Sequence, residues 1–103
     1  MIKHRWFLFL LQFLILAPTN TTANDQTITV AVASNFYTTL LEIAEQYEVL
    51  NGHAVRISAA SSGKLYAQIS NGAPFDVFLS ADAERPRRLE SAGIAIDGSR
   101  FTY

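Results

Sequence analysis

The sequence predicts an α/β fold, an open, mainly parallel sheet with helices on both faces. Three observations point to it. Short, mainly apolar runs recur at 27–33, 54–59 and 75–80, the first two with Val and Ile and the third with Phe, Val and Leu, the pattern of strands buried in a parallel sheet. Each run is followed by a segment with apolar residues at helical spacing. Asn-Gly or Gly stops then close each helical segment. The order is β-α-β-α-β-α, and residues 99–103 read as the start of a further strand. Parallel strands joined by helices cross over with the right hand.

Taken in order, Asn24, Asp25 and Gln26 form a polar leader to the first strand. Ser34 and Asn35 follow that strand, and both residue types favour helix N-caps by about 1 kcal/mol over Ala. From Tyr37 to Asn51 the residues Leu40, Leu41, Ala44, Tyr47 and Leu50 make one apolar stripe, with Glu42, Glu45 and Glu48 on the solvated side. Gly52 ends this helix in the left-handed conformation that glycine tolerates. His53 opens the second strand as a surface or capping residue rather than a metal ligand. A tight turn at 60–63 leads into a helix over 64–71, with Leu65 and Ile69 facing inward. Asn71-Gly72 stops it, and Pro74 prevents resumption. After the third strand, Asp82 is placed to cap a helix with Pro86 in its first turn. Leu89, Ala92 and Ile94 are expected to face in. Arg85, Arg87 and Arg88 alternate with Glu84 and Glu90 as an ion-paired, exposed face.

The chain has 103 residues, enough for one small domain. Its first part reads differently. Lys3, His4 and Arg5 precede an apolar run of 11 residues, Trp6 to Leu16, broken only by Gln12, and then a small, polar stretch with Thr21 and Ala23 at cleavage-site spacing. That is the order of a secretory signal peptide, cut after Ala23. The run is shorter than the roughly 20 residues of a spanning helix. The expected organisation is therefore a signal peptide at 1–23 and an exported domain at 24–103. Removing 1–23 leaves six of the eight basic side chains against all nine acidic ones, a formal net of −3. This balance argues against nucleic acid as a partner. There is no cysteine, which excludes disulfides and thiolate metal sites.

The chemistry concentrates in two turns. In an open α/β sheet, ligands sit at the carboxyl ends of the strands. Ser34-Asn35 and Ser61-Ser62-Gly63 both fall there, each at a helix start carrying unpaired N–H groups and about half a positive charge. Ser34, Asn35, Ser61 and Ser62 thus form a candidate neutral anion clamp. Hydrogen bonds to a charged partner contribute roughly 1.5–3 kcal/mol each, so six or seven support binding near −8 kcal/mol or better after association costs. A cage of donors alone favours a fully ionised oxyanion such as molybdate, tungstate or sulfate, and penalises hydrogen phosphate, whose proton finds no acceptor. Competing readings are weaker. Ser61 and Lys64 have the Ser-x-x-Lys spacing of some acyl-transfer enzymes, but the companion Ser-Asp-Asn and Lys-Thr-Gly motifs are absent. A P-loop fails because Ser58 and Leu65 occupy positions that need Gly and Ser or Thr. Asp76 and Asp82 flank a strand with nothing else to make an acid/base pair. No catalytic constellation or cofactor is expected.

The segment after residue 26 resembles the N-terminal part of periplasmic molybdate-binding proteins, the solute receptors of molybdate ABC transporters. The resemblance is carried by Val32-Ala33-Ser34-Asn35-Phe36, by Gly52-His53-Ala54-Val55, and by Ser61-Ser62-Gly63-Lys64-Leu65-Tyr66-Ala67-Gln68-Ile69. It continues through Asn71-Gly72-Ala73-Pro74-Phe75-Asp76-Val77-Phe78-Leu79-Ser80-Ala81-Asp82 and Gly98-Ser99-Arg100-Phe101-Thr102-Tyr103. It implies the first lobe of a type II periplasmic-binding-protein fold. It also implies binding of molybdate and tungstate through oxyanion oxygens, not direct metal ligation, and delivery by a monomeric receptor to an inner-membrane ABC permease. The family's first-turn donor falls on Asn35, with Ser34 beside it, and its second-turn donor on Ser62, with Ser61 adjacent. Members have a second lobe that supplies further donors, so the sequence reads as a truncated, incomplete N-terminal lobe. Losing three charged hydrogen bonds costs roughly 5–9 kcal/mol, so residues 24–103 alone are expected to bind weakly or not at all. The alternatives are a receptor for sulfate or another oxyanion, a Ser61–Lys64 hydrolase, and a non-functional remnant that folds poorly.

Overall fold

A computed structural model describes residues 26–103; the signal peptide expected at 1–23 lies outside the described residues. The elements run β1 (Ile28–Ala33), a 3-10 turn (Ser34–Phe36), α1 (Tyr37–Asn51), β2 (Val55–Ala60), α2 (Ser62–Ser70), β3 (Val77–Leu79) and α3 (Glu84–Ser91). The strands form a parallel sheet in the order β2-β1-β3. The chain steps from β1 to one neighbour and then back across β1 to the other. Two right-handed crossovers in opposite directions put α1 and α2 on opposite faces. The expected open parallel sheet with helices on both faces is the one observed.

Central β1 is the buried strand: Val30, Ala31, Val32 and Ala33 are all at most 6% exposed. Its side chains alternate between faces. Val30 and Val32 pack with Leu40 of α1 and Leu79 of β3, with Ile28, Phe36, Val55, Ile57 and Val77 around them. On the other face the small Ala31 and Ala33 let α2 lie close to the strand, and α2 packs on both β1 and α3, with Leu65 at 1% exposure. Asp76 fastens the start of β3 to β1. Its carboxylate accepts from the Thr29 N–H at 2.8 Å and the Thr29 hydroxyl at 2.9 Å. Those two bonds, the backbone one first, hold its pKa below the ordinary aspartate value.

Several expectations need correction. Strand β2 is not buried on both faces: Val55 and Ile57 are half-buried against the core, but Arg56 and Ser58 are exposed, because α2 covers β1 and leaves this edge strand one open face. On α1 only Leu40 and Ala44 are buried, while Leu41 is 45% and Leu50 82% exposed. One helix on a sheet of this width buries a stripe narrower than its apolar sequence. In the third helical segment Leu89 is buried, but Ala92 and Ile94 are exposed, since the helix has ended at Ser91. Residues 99–103 form no strand. Side chains hold this segment instead. Arg100 Nε donates to Glu90 Oε1 at 3.2 Å, Tyr103 Oη donates to the Ser80 carbonyl at 2.6 Å, and the Tyr103 ring lies 4.7 Å from that of Phe36. Burial raises the pKa of the Tyr103 phenol.

Candidate oxyanion site

The carboxyl ends of β1, β2 and β3 open into one cleft of about 410 Å³, lined by Ala33, Ser34, Asn35, Ser61, Ser62, Gly63, Ala81, Asp82 and Arg85. All four predicted site residues are there. The sheet order brings them together, because β1 lies between β2 and β3, so the turns after the three strands are neighbours.

The second turn is built as a donor. Ser61, extended at φ −63° and ψ 146°, is the N-cap of α2, and its Oγ accepts from the Lys64 N–H at 3.2 Å. The helix therefore starts at Ser62 rather than at Lys64. Ser62 is 8% exposed, and its Oγ accepts from the Ala81 N–H at 2.8 Å, 19 residues away. Both hydroxyls are thus used as acceptors, and among the described residues neither donates its own proton. A serine hydroxyl that has accepted one hydrogen bond keeps its O–H for a further partner, so both protons remain available at the cleft. The Ser61–Lys64 contact runs through the backbone N–H of an exposed lysine, which accounts for that spacing as a helix cap rather than a nucleophile beside an amine.

The first turn differs from expectation. The N-cap of the 3-10 turn is Ala33, and no side chain caps it. Phe36, the residue before α1, also lacks a side-chain cap. Ser34 and Asn35 lie inside the turn, exposed. The chain leaves β1 directly into helical geometry, one residue sooner than a Ser or Asn cap requires. The consequence favours the clamp: neither side chain is engaged in capping, and the first-turn N–H groups lack intrahelical acceptors.

Sequence reasoning missed the third turn and its charged pair. Ser80 is 7% exposed and its Oγ donates to Asp82 Oδ1 at 3.3 Å. Asp82 Oδ1 also accepts from the Arg85 N–H at 2.9 Å, but the cap position of α3 falls on Ala83, which no side chain caps, so the expected Asp82 cap sits one residue further out. Its Oδ2 is ion-paired with Arg85 Nη1. The Arg85 N–H, ahead of the guanidinium and the Ser80 hydroxyl, holds the Asp82 pKa below the usual range. The cleft is therefore not a cage of neutral donors: it carries one carboxylate and one guanidinium. The rule that led to the first two turns, strand end followed by helix start, applies equally at 80–85 and would have found them. Arg87 and Arg88 behave as expected, pairing on the exposed side with Glu84 at 2.6 and 2.9 Å.

A larger groove of about 810 Å³ runs along β3. Its walls are mainly apolar, with Phe75, Leu79, Leu89, Ile96 and Phe101 among them, and two of its polar side chains, Arg100 and Tyr103, already donate to Glu90 and to the Ser80 carbonyl. Among the described residues no group of three or more His, Cys, Asp or Glu side chains is placed to hold a metal ion.

Comparison with known proteins agrees with this geometry. The family model described as bacterial extracellular solute-binding protein matches residues 28–103. The molybdate-binding protein ModA of Azotobacter vinelandii is 50% identical over 76 residues, covering 74% of this chain and 30% of that protein. ModA of Rhodobacter capsulatus is 48% identical over 73 residues, covering 71% of this chain and 29% of the relative. The solved structure of the Azotobacter vinelandii periplasmic molybdate-binding protein superposes with a TM-score of 0.72 at 53% identity, over 74% of this chain and 33% of that one. The chain thus spans about a third or less of the length of the relatives it matches. With the parallel sheet and its strand-end cleft, the match over residues 28–103 places this chain in the bacterial extracellular solute-binding protein family.

Proposed function

We propose that this chain is part of a periplasmic molybdate receptor, supplying the half of the oxyanion site formed by Ser34, Asn35, Ser61 and Ser62. Tungstate is a second ligand, and an ABC permease in the inner membrane receives the cargo. The chain acts as a monomeric binding protein, not as an enzyme, and needs no cofactor. Residues 1–23 direct export. The observation that carries the reading is the state of Ser61 and Ser62. Both hydroxyls already accept backbone N–H groups, so each offers a proton at the mouth of a helix whose dipole favours an anion. The likeness to ModA proteins adds the identity of the anion.

Donors reach the ligand from one side only in this chain, so binding is expected to be weak, micromolar to millimolar. The test is an amide chemical-shift titration with sodium molybdate on the purified chain. A parallel titration uses a chimera in which residues 28–103 replace their counterpart in the Azotobacter vinelandii protein. Shifts confined to residues 34–36, 61–63 and 81–82, with tight binding restored in the chimera and poor competition by sulfate, support the reading. A chimera that folds and binds sulfate in preference overturns the ligand. A folded chain with no shifts at those residues, together with a folded chimera that binds neither anion, overturns the site.

A further inference from the structure

Arg85 stands apart from the other arginines of α3. Arg87 and Arg88 share Glu84 on the outer side. Arg85 points over the sheet end and lines the cleft with Ser34, Asn35, Ser61 and Ser62. Its guanidinium lies against the first turn of α2, where a Cβ on Gly63 would come within 3.2 Å of Nη2. Glycine there is what lets the cation approach the helix start. A guanidinium has five N–H donors in a planar fork suited to oxyanions, and the ion pair to Asp82 is made through Nη1. The side chains of Arg85 and Asp82 are 40% and 33% exposed, so the pair is partly solvated and free to exchange partners.

We infer that Arg85 is a specificity-determining residue of the cleft, and that Asp82 is its resident counterion, which a bound oxyanion displaces in part. This rests on the oxyanion reading of the cleft. A dianion entering between the two helix starts meets the Arg85 guanidinium as its only side-chain cation among the cleft-lining residues. It also meets the Asp82 carboxylate as a repelling charge. The two partners therefore act in opposite directions: Arg85 draws the anion in, while Asp82 competes for Arg85 and repels the anion. If the pair only fastened α3, loss of either partner would act in the same direction.

The test uses Arg85→Gln, Asp82→Asn and Arg87→Gln in the purified chain, with sodium molybdate as the probe and amide shifts as the readout. The asparagine amide oxygen is an acceptor like the carboxylate oxygen it replaces, so Asp82→Asn keeps a partner for the Arg85 N–H while removing the charge. Arg87→Gln makes the same change in net charge as Arg85→Gln but outside the cleft. At about 10 mM salt, Arg85→Gln is expected to weaken binding about five- to tenfold and Asp82→Asn to tighten it about threefold, with both effects shrinking near 150 mM as screening sets in. Arg87→Gln is expected to leave the affinity within about twofold of the parent. If the parent titrates but Arg85→Gln matches Arg87→Gln, or Asp82→Asn weakens binding as Arg85→Gln does, the inference is overturned and the oxyanion reading stands. If the folded parent does not titrate at all, the inference is overturned, and the oxyanion reading falls with it only if the folded chimera also binds neither anion.

Discussion

Replacing Ser62 by alanine removes one oxygen, and the structure says what that oxygen does. Ser62 Oγ accepts from the Ala81 N–H at 2.8 Å, a bond that ties the start of α2 to the loop after β3. A net contribution of about 1 kcal/mol is typical of such a bond. Ala81 is exposed, so water can take over its N–H and the loss should stay near that value. In a domain of this size, about 1 kcal/mol corresponds to a fall in Tm of roughly 4–8 °C. Thermal unfolding followed by circular dichroism measures it. The same change removes one O–H donor from the cleft, worth roughly 1.5–3 kcal/mol against an ionised oxyanion, or about ten- to 150-fold in Kd. Ser62→Thr restores the hydroxyl and should recover most of the binding, although its added methyl group crowds a buried position. A Ser62→Ala variant whose Tm moves by less than about 1 °C would show that the link to Ala81 contributes little. An unchanged molybdate affinity in a folded variant would refute the role of this hydroxyl as a donor.

Two further predictions address the frame around the site. Gly52 caps α1 at φ 70°, and a Cβ added there would meet nothing within 4 Å, so Gly52→Ala should lower stability through the backbone alone, by about 1 kcal/mol in urea unfolding. Acid should destabilise the fold through Asp76, Asp82 and Glu84. Glu84 is held at about 2 by hydrogen bonds from Arg87 and then Arg88, and both aspartates lie below their ordinary 3.8. Folded values below the unfolded ones mean that these contributions are complete above the unfolded pKa values of 3.8 and 4.5, and are lost as pH falls through the folded values. Urea midpoints measured from about pH 7 down to about pH 3 should decline only in the acid range, and Asp76→Asn should decline less steeply.

The sequence alone determined the elements and their order. Strand β1 and helix α1 follow from patterns that neighbouring residues carry: a short β-branched, nearly all-apolar run at 28–33, helical spacing from Tyr37 to Asn51, and a glycine whose left-handed conformation ends the helix. It also led to Ser34, Asn35, Ser61 and Ser62, because a small polar residue between a buried strand and a helix is a local signal with a known place in a parallel sheet. What the local pattern lacks is distance. That Ser62 meets the Ala81 N–H, that Arg85 alone of its cluster reaches the cleft, and that Tyr103 ties Ser80 to Phe36 all depend on the β2-β1-β3 order. That order sets the ends of three strands side by side and is decided by which faces bury best together. The same packing left one face of β2 and much of α1 open, since a side chain's burial depends on what covers it, and the covering element is remote in sequence.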